Sequence, residues 1–223
     1  MTTYPQFAEA YELARSPLAG TGGTDGLPPC VPERGDAPVR LPAPSAPVVS
    51  LEEALTDRRS IRRYADRGVP AADIAAVLSA AVRVTSLLGW SVVVRRAQGV
   101  DAGSYHVEVL PDSGLRLHRV GPVPPAEAWP QREFHLAPVI VVAQANLLVP
   151  AGRPAAPLYR LAGRGAYAAA IAATRTGLGS CLFYGPTLAA RTPLRFDNVT
   201  RAPLLGLSLG LPLEPVRQNG ASA

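Results

Sequence analysis

The chain has 223 residues, 48% hydrophobic and 17% charged, enough to bury a sizeable core, although length alone does not separate one large domain from two small ones. Its net charge of +5 comes entirely from arginine, because the sequence contains no lysine. The arginines are scattered and aromatic residues make up only 6%, which argues against a nucleic-acid surface. Cys30 and Cys181 make neither a disulfide framework nor a metal cluster, so a reducing, cytoplasmic compartment is expected and no metal site is. The opening MTTYPQFAEAYELA lacks the basic-then-apolar order of a secretory signal, and no apolar run reaches the ~18 residues that span a bilayer.

The chain opens with a candidate short helix, Phe7 to Arg15, followed by a Gly- and Pro-rich segment from Ser16 to Pro47. That segment carries too little apolar surface to order itself and reads as a linker or an arm laid over a partner. The expected division is an arm over 1–47, one domain over 48–215 and a tail over 216–223. Ser50 with Glu53 forms a capping-box pattern, and Leu51, Ala54 and Leu55 form an apolar stripe, so a helix is expected from Ser50 to near Arg58. Arg58, Arg59, Arg62 and Arg63 then follow within a few residues, with Ser60 among them. Guanidinium groups match phosphate oxygens bidentately and the serine adds a hydroxyl donor, so the segment suits a dianion. Basic runs are more often solvated surface, and the residues alone leave both readings open.

Pro70 opens a second helix whose Ile74, Val77, Leu78, Ala81 and Val82 fall at helical spacing. A strand is expected over Ser91–Val94. Residues 104–120 alternate as a hairpin with Pro111, Asp112, Ser113 and Gly114 at the turn, placing His106 and His118 on facing arms. Without a third ligand those histidines read as surface or satisfied residues. Ala137–Ala145 is a continuous β-branched run of the kind found in a central strand. Leu158–Thr176 is an Ala-rich helix ending at Gly177, a natural left-handed C-cap, and its small side chains allow close helix packing. A short apolar stretch, Cys181–Gly185, and a last strand, Leu204–Leu211, complete the chain.

The RRSIRRY segment after a capped helix, followed by VPAADIAAVLSAA, resembles the opening of the nitroreductase-like flavoenzyme fold, in which an Arg-Arg-Ser-x-Arg segment holds the FMN phosphate. The blocks VRLPAPSAPVVSLEEALTDRRSIRRYADRGVPAADIAAVLSAA, SVVVRRAQGVDAGSYHVEVLPDSGLRLHRV, APVIVVAQANL, AATRTGLGSCLFYGP and LLGLSLGLP resemble, in that order, the SagB-type branch, which contains azoline dehydrogenases of thiazole- and oxazole-bearing peptides. The resemblance implies an α+β nitroreductase-like fold: a central mixed, mainly antiparallel sheet flanked by helices, in a dimer. It implies FMN held at its phosphate by Arg58, Arg59, Ser60 and Arg62. By position, Phe183, Tyr184 and Gly185 would run beside the flavin ring, Ser86 would touch it from a shortened loop, and Arg217 would return a positive charge to the phosphate.

The implied activity is an FMN-dependent oxidoreductase of modified-peptide natural-product maturation, carrying out azoline dehydrogenation with a different base or a related redox step such as reduction of a dehydroamino acid, on a peptide or small molecule, as a homodimer or a heterodimer with a homologous subunit. The sequence departs from that branch in one chemical respect. Azoline dehydrogenases carry a Lys-Tyr pair ahead of the long helix, whereas this chain reads AGRPAAPLYRLAGRGAY there, and arginine does not deprotonate to serve as a base. Tyr159 and Tyr167 are the nearest phenols, which makes Tyr159, with Tyr184, the candidate for proton transfer. Two alternatives follow: a divergent non-catalytic subunit paired with an active homologue, and a generic NAD(P)H-dependent nitro- or quinone reductase.

Overall fold

The computed structural model describes residues 37–84, 88–146, 155–186, 191–196 and 201–213. The expected N-terminal arm up to residue 36, Ser86 and Arg217 lie outside them. In chain order the elements are β1 (Val39–Arg40), α1 (Leu51–Asp57), β2 (Val69–Pro70), α2 (Ala71–Val84), β3 (Gly89–Val94), β4 (Ala97–Gln98), β5 (Gly103–Val109), β6 (Leu115–Gly121), a 3-10 turn (Ala126–Ala128), α3 (Arg132–Leu136), β7 (Val139–Asn146), α4 (Ala155–Arg175), β8 (Gly179–Tyr184), α5 (Arg191–Leu194) and β9 (Arg201–Gly210).

Seven strands make one sheet in the order β1-β6-β5-β3-β7-β9-β8, and every ladder in it is antiparallel. Among the described residues, parallel pairing occurs in the separate two-residue ladder β2–β4 and in a single bridge between Ser60 and Ser180 of β8. β7 lies between β3 and β9 with Val139 to Ala145 all buried, as a β-branched run without polar alternation requires. The last strand in sequence is not the sheet edge. β9 pairs on both sides, and β8 is outermost. Val39 and Arg40, on the arm side of the expected boundary, pair with Leu117 and Arg116 of β6.

One face of the sheet is covered by α2 and α4. Ile74, Val77, Leu78 and Ala81 of α2 meet Ala162, Ala169, Ala170 and Ala173 of α4 over Trp90, Val92, Val141 and Leu207. The small residues of α4 act within this chain. A Cβ at Gly165 would stand 2.7 Å from the Trp90 ring, so glycine there lets the helix axis approach the sheet. α4 ends as its sequence anticipates, with Gly177 at φ +80° and the Leu178 N–H closing on the Ala173 carbonyl at 2.8 Å.

The second face carries Val93, Ile140, Val142, Cys181 and Phe183, covered by Trp129, Phe134, Leu194 and Phe196. Phe183 stacks on Phe134 with ring centroids 4.0 Å apart and meets Trp129 edge-on. The space for its ring is made by Gly206 on the neighbouring strand, opposite Phe183 in the β8–β9 register, where a Cβ would overlap the ring. Gly206→Ala is therefore expected to cost about 1–3 kcal/mol by overpacking. Urea unfolding measures this directly, and an unchanged midpoint would mean that the Phe183 ring has another place to go.

A polar row crosses this second face. Ser91 Oγ donates to Gln144 Oε1 at 3.3 Å. His106, paired with His118 across the β5–β6 ladder, has Nε2 3.1 Å from the Leu194 carbonyl and Nδ1 3.2 Å from Arg201 Nη1. Because both the carbonyl and the guanidinium are single-purpose groups, His106 is neutral, donating from Nε2 and accepting at Nδ1. His118 Nε2 bonds Glu108 Oε2 at 2.7 Å, and Arg116 donates to the same oxygen at 3.1 Å. Of the two facing histidines, His106 is therefore satisfied at both ring nitrogens, whereas His118 is bonded through Nε2 and its buried Nδ1 has no partner among the described residues; no group of three His, Cys, Asp or Glu able to hold a metal occurs among the described residues.

Candidate functional site

The site begins where α1 stops. Ser50 Oγ accepts the Glu53 N–H at 3.1 Å, and the Glu53 carboxylate accepts the Ser50 N–H at 2.7 Å, so the capping box sets the start of the helix. Arg58 caps its other end with φ −59° and ψ 118°, which turns the chain out of the helix, and its N–H still bonds the Ala54 carbonyl at 3.0 Å. The arginine segment then runs beside two strands. Ser60 bridges Ser180 at the outer edge of β8, and the Ile61 N–H donates to the Ser180 carbonyl at 2.8 Å. Farther on, Tyr64 bridges Pro212 and the Ala65 N–H donates to the Leu211 carbonyl at 2.8 Å.

The backbone is thus held while the charged side chains are left outside. Ile61 is half-buried, whereas Arg59, Ser60, Arg62 and Arg63 around it are exposed. Among the described residues none of these four side chains has a hydrogen-bonding or ionic partner. The Arg58 guanidinium lies over the Tyr167 ring of α4, 5.9 Å from its centroid, a cation–π placement that supports the charge without neutralising it. Like charges gathered on a fixed backbone with no carboxylate among them repel one another. An external anion would remove that repulsion, and guanidiniums with one hydroxyl are donors of the chemical kind that suits a phosphate.

β8 carries the second group of residues. Its alternation sends Cys181 and Phe183 into the core and leaves Leu182 and Tyr184 exposed, Tyr184 at 74%. Phe183 therefore has its ring fully engaged, and only its backbone is available to a ligand; Gly185 follows at the end of the strand. The Tyr184 hydroxyl lies 3.5 Å from that of Tyr159 on α4. This neighbour, together with partial burial, pushes the Tyr159 phenol up to about 12. Tyr159 consequently keeps its proton throughout the physiological range.

Ser60 and Tyr184 mark the two ends of β8's outer edge, roughly 13 Å apart at the usual strand rise. On α4, Tyr167 and Tyr159 are separated by roughly 12 Å of helix. The two elements thus run an exposed strip of Tyr167, Tyr159, Leu182 and Tyr184 from the arginine segment to the paired phenols. Exposed aromatic and aliphatic groups of this kind are candidates for ligand contact. Sequence reading brought Arg58, Arg59, Ser60 and Arg62 together, and with them Tyr159 and Tyr184. It missed Tyr167 as the support for Arg58 and Leu182 as part of the strip. The eight-residue spacing of Tyr159 and Tyr167 was the available signal, since such residues share a helix face.

No protein-family model matches the sequence, and no curated protein does. Solved structures do match. A protein of Ralstonia eutropha JMP134 named as a nitroreductase superposes with a TM-score of 0.63 at 16% identity, over 85% of this chain and 98% of its own. One from Anabaena variabilis, also named as a nitroreductase, gives 0.58 at 20% identity over 73% of this chain, which spans only 38% of that longer protein. A third, from Desulfovibrio desulfuricans and solved in complex with FMN, gives 0.51 at 18% identity over 78% of this chain and 90% of its own. The chain has the nitroreductase fold: an α+β architecture with an antiparallel seven-stranded sheet flanked by helices.

Proposed function

We propose that this chain is an FMN-dependent oxidoreductase that reduces its substrate. The observation that carries the reading is the arginine segment: unpartnered Arg59, Ser60 and Arg62, with Arg58 braced on Tyr167, held on a fold that binds FMN in the Desulfovibrio protein. Arg58, Arg59, Ser60 and Arg62 would hold the phosphate, and the backbone of Phe183, Tyr184 and Gly185 would border the ring. Bound there, FMN supplies two-electron hydride chemistry, while the protein positions and tunes it. Arg217 as a further phosphate contact and Ser86 as a ring contact remain part of this proposal.

Reduction is the direction proposed, with Tyr159 as its proton donor. Oxidation of an azoline needs a base to take a proton, and this chain offers no lysine and a phenol held near 12. Reduction needs a donor, which Tyr159 is. Within modified-peptide maturation, to which the ordered sequence blocks bear resemblance, a fitting substrate is a dehydroamino acid whose C=C bond would take a hydride at one carbon and a proton at the other, with a nicotinamide dinucleotide as the source of the two electrons. A second copy, or a homologous subunit, would lie on exposed apolar side chains such as Val48, Leu51 and Leu55. No described helix is long and apolar enough to cross a membrane, and a cytoplasmic location is proposed.

The visible spectrum of the purified protein, with identification of what heat releases, tests the cofactor. A yellow protein releasing FMN is the expected result, and a colourless protein that takes up no added FMN would overturn the reading in favour of a non-catalytic partner subunit. Arg58→Ala and Arg62→Ala are each expected to weaken FMN binding by about 1.5–3 kcal/mol, the range of a hydrogen bond to a charged group, or roughly 10- to 150-fold. Riboflavin, which lacks the phosphate, should bind both variants as it binds the wild type. Unaltered FMN affinity in both would remove the phosphate assignment.

A further inference from the structure

Ile61 sits at the centre of the arginine segment, and three features fix it. Its N–H donates to the Ser180 carbonyl at 2.8 Å. Its side chain lies over Gly179, where a Cβ would come within 2.7 Å of it. Its carbonyl accepts the Tyr64 hydroxyl at 2.6 Å. That hydroxyl in turn lies 2.8 Å from Ser208 Oγ on β9, and Ser208 is fully buried. A phenol has one proton, so with Tyr64 donating to Ile61, Ser208 must donate to the phenol oxygen; its alternative acceptor, the Cys181 carbonyl, is farther away at 3.3 Å. The result is a directed chain, Ser208 O–H to Tyr64 O–H to the Ile61 carbonyl. The Tyr64 ring is seated over Gly210, where a Cβ would stand 2.7 Å from it, and its burial keeps the phenol protonated by raising its pKa.

We propose that Tyr64 and Ser208 are positioning residues for anion binding: they orient the Ile61 peptide from below, and through it set the spacing of Ser60 and Arg62 on either side. This rests on the flavin phosphate reading given above, and it adds residues that touch neither phosphate nor ring. The physical cause is preorganisation. Guanidinium and hydroxyl donors held at the correct separation lose less freedom on binding than donors on a mobile loop.

The test is calorimetric titration of the full-length protein, freed of flavin, with FMN and with riboflavin, for wild type, Tyr64→Phe and Ser208→Ala. Tyr64→Phe removes the donor to Ile61 and keeps the ring over Gly210. It is expected to raise the Kd for FMN about tenfold while leaving riboflavin binding unaltered, so that the FMN-to-riboflavin affinity ratio falls by the same factor. Ser208→Ala leaves the phenol in place and is expected to lower that ratio by less, about two- to threefold, which keeps the proposal testable if Tyr64→Phe folds poorly. Equal losses for FMN and riboflavin, or wild-type binding of FMN by both variants, would overturn the positioning role alone. A wild-type protein that binds no FMN would instead overturn the flavin reading beneath it.

Discussion

Tyr159→Phe is expected to slow reduction of a dehydroamino acid amide about a hundredfold, the lower end of what general acid catalysis supplies, while flavin content stays that of the wild type. The substitution removes only a hydroxyl, one that is 3.5 Å from the Tyr184 hydroxyl and half-exposed beside β8, so packing is retained. The decisive measurement is single-turnover reoxidation of the dithionite-reduced protein by two acceptors. The unsaturated amide needs a proton delivered; ferricyanide takes electrons and needs none. A selective loss with the amide assigns the proton to Tyr159, whereas equal rates with the amide in wild type and variant place the donor elsewhere. The pH profile gives an independent check. With the phenol held near 12 chiefly by its bond to Tyr184 and secondarily by burial, the wild-type rate should show no Tyr159-linked decline until the pH approaches that value. Tyr184→Phe should bring the decline to lower pH.

The second large effect is on stability. Buried and neutral, His106 titrates near 4 in the folded chain, held down first by desolvation and then by the charges of Arg201 and His118, against the opposing pull of the Leu194 carbonyl. Unfolded, it titrates at its ordinary value of 6.5. Between those values the unfolded chain binds more protons than the folded one. The stabilisation is therefore complete above 6.5 and is lost as the pH falls toward 4, by about 3 kcal/mol for this single group. Urea unfolding across that window is expected to show the loss, and His106→Gln, which cannot take up the proton, should flatten the slope. A variant as pH-sensitive as the wild type would assign the loss to other groups. The consequence is mechanical: protonated His106 would face the Arg201 guanidinium at 3.2 Å with no acceptor role left.

Most of the local structure is legible in the sequence. The capping box placed α1 to the residue, the Asp-Ser-Gly turn placed the hairpin and Gly177 placed the end of α4, because each of these is decided by hydrogen bonds and torsions within a few residues of one another; the β-branched run marked β7 as an interior strand because it leaves no polar face for water. The arginine segment was legible as an anion-binding candidate for the same reason. Its chemistry is concentrated in one heptad, RRSIRRY.

What the sequence by itself determined, then, is which stretches become helix and strand and which side chains are offered to an anion. Tertiary structure alone decided three matters. Packing order put β9 inside the sheet and β8 at its edge, since strand order depends on contacts far apart in the chain. Register turned the Phe183 ring into the core against Phe134 and left its neighbour Tyr184 outside beside Tyr159. Pinning by Ser180, Ser208 and Leu211 turned a run of arginines, which in an isolated peptide would repel one another into an open chain, into a fixed set of unpaired donors. Local patterns report local energies, whereas a binding site is made where distant segments meet.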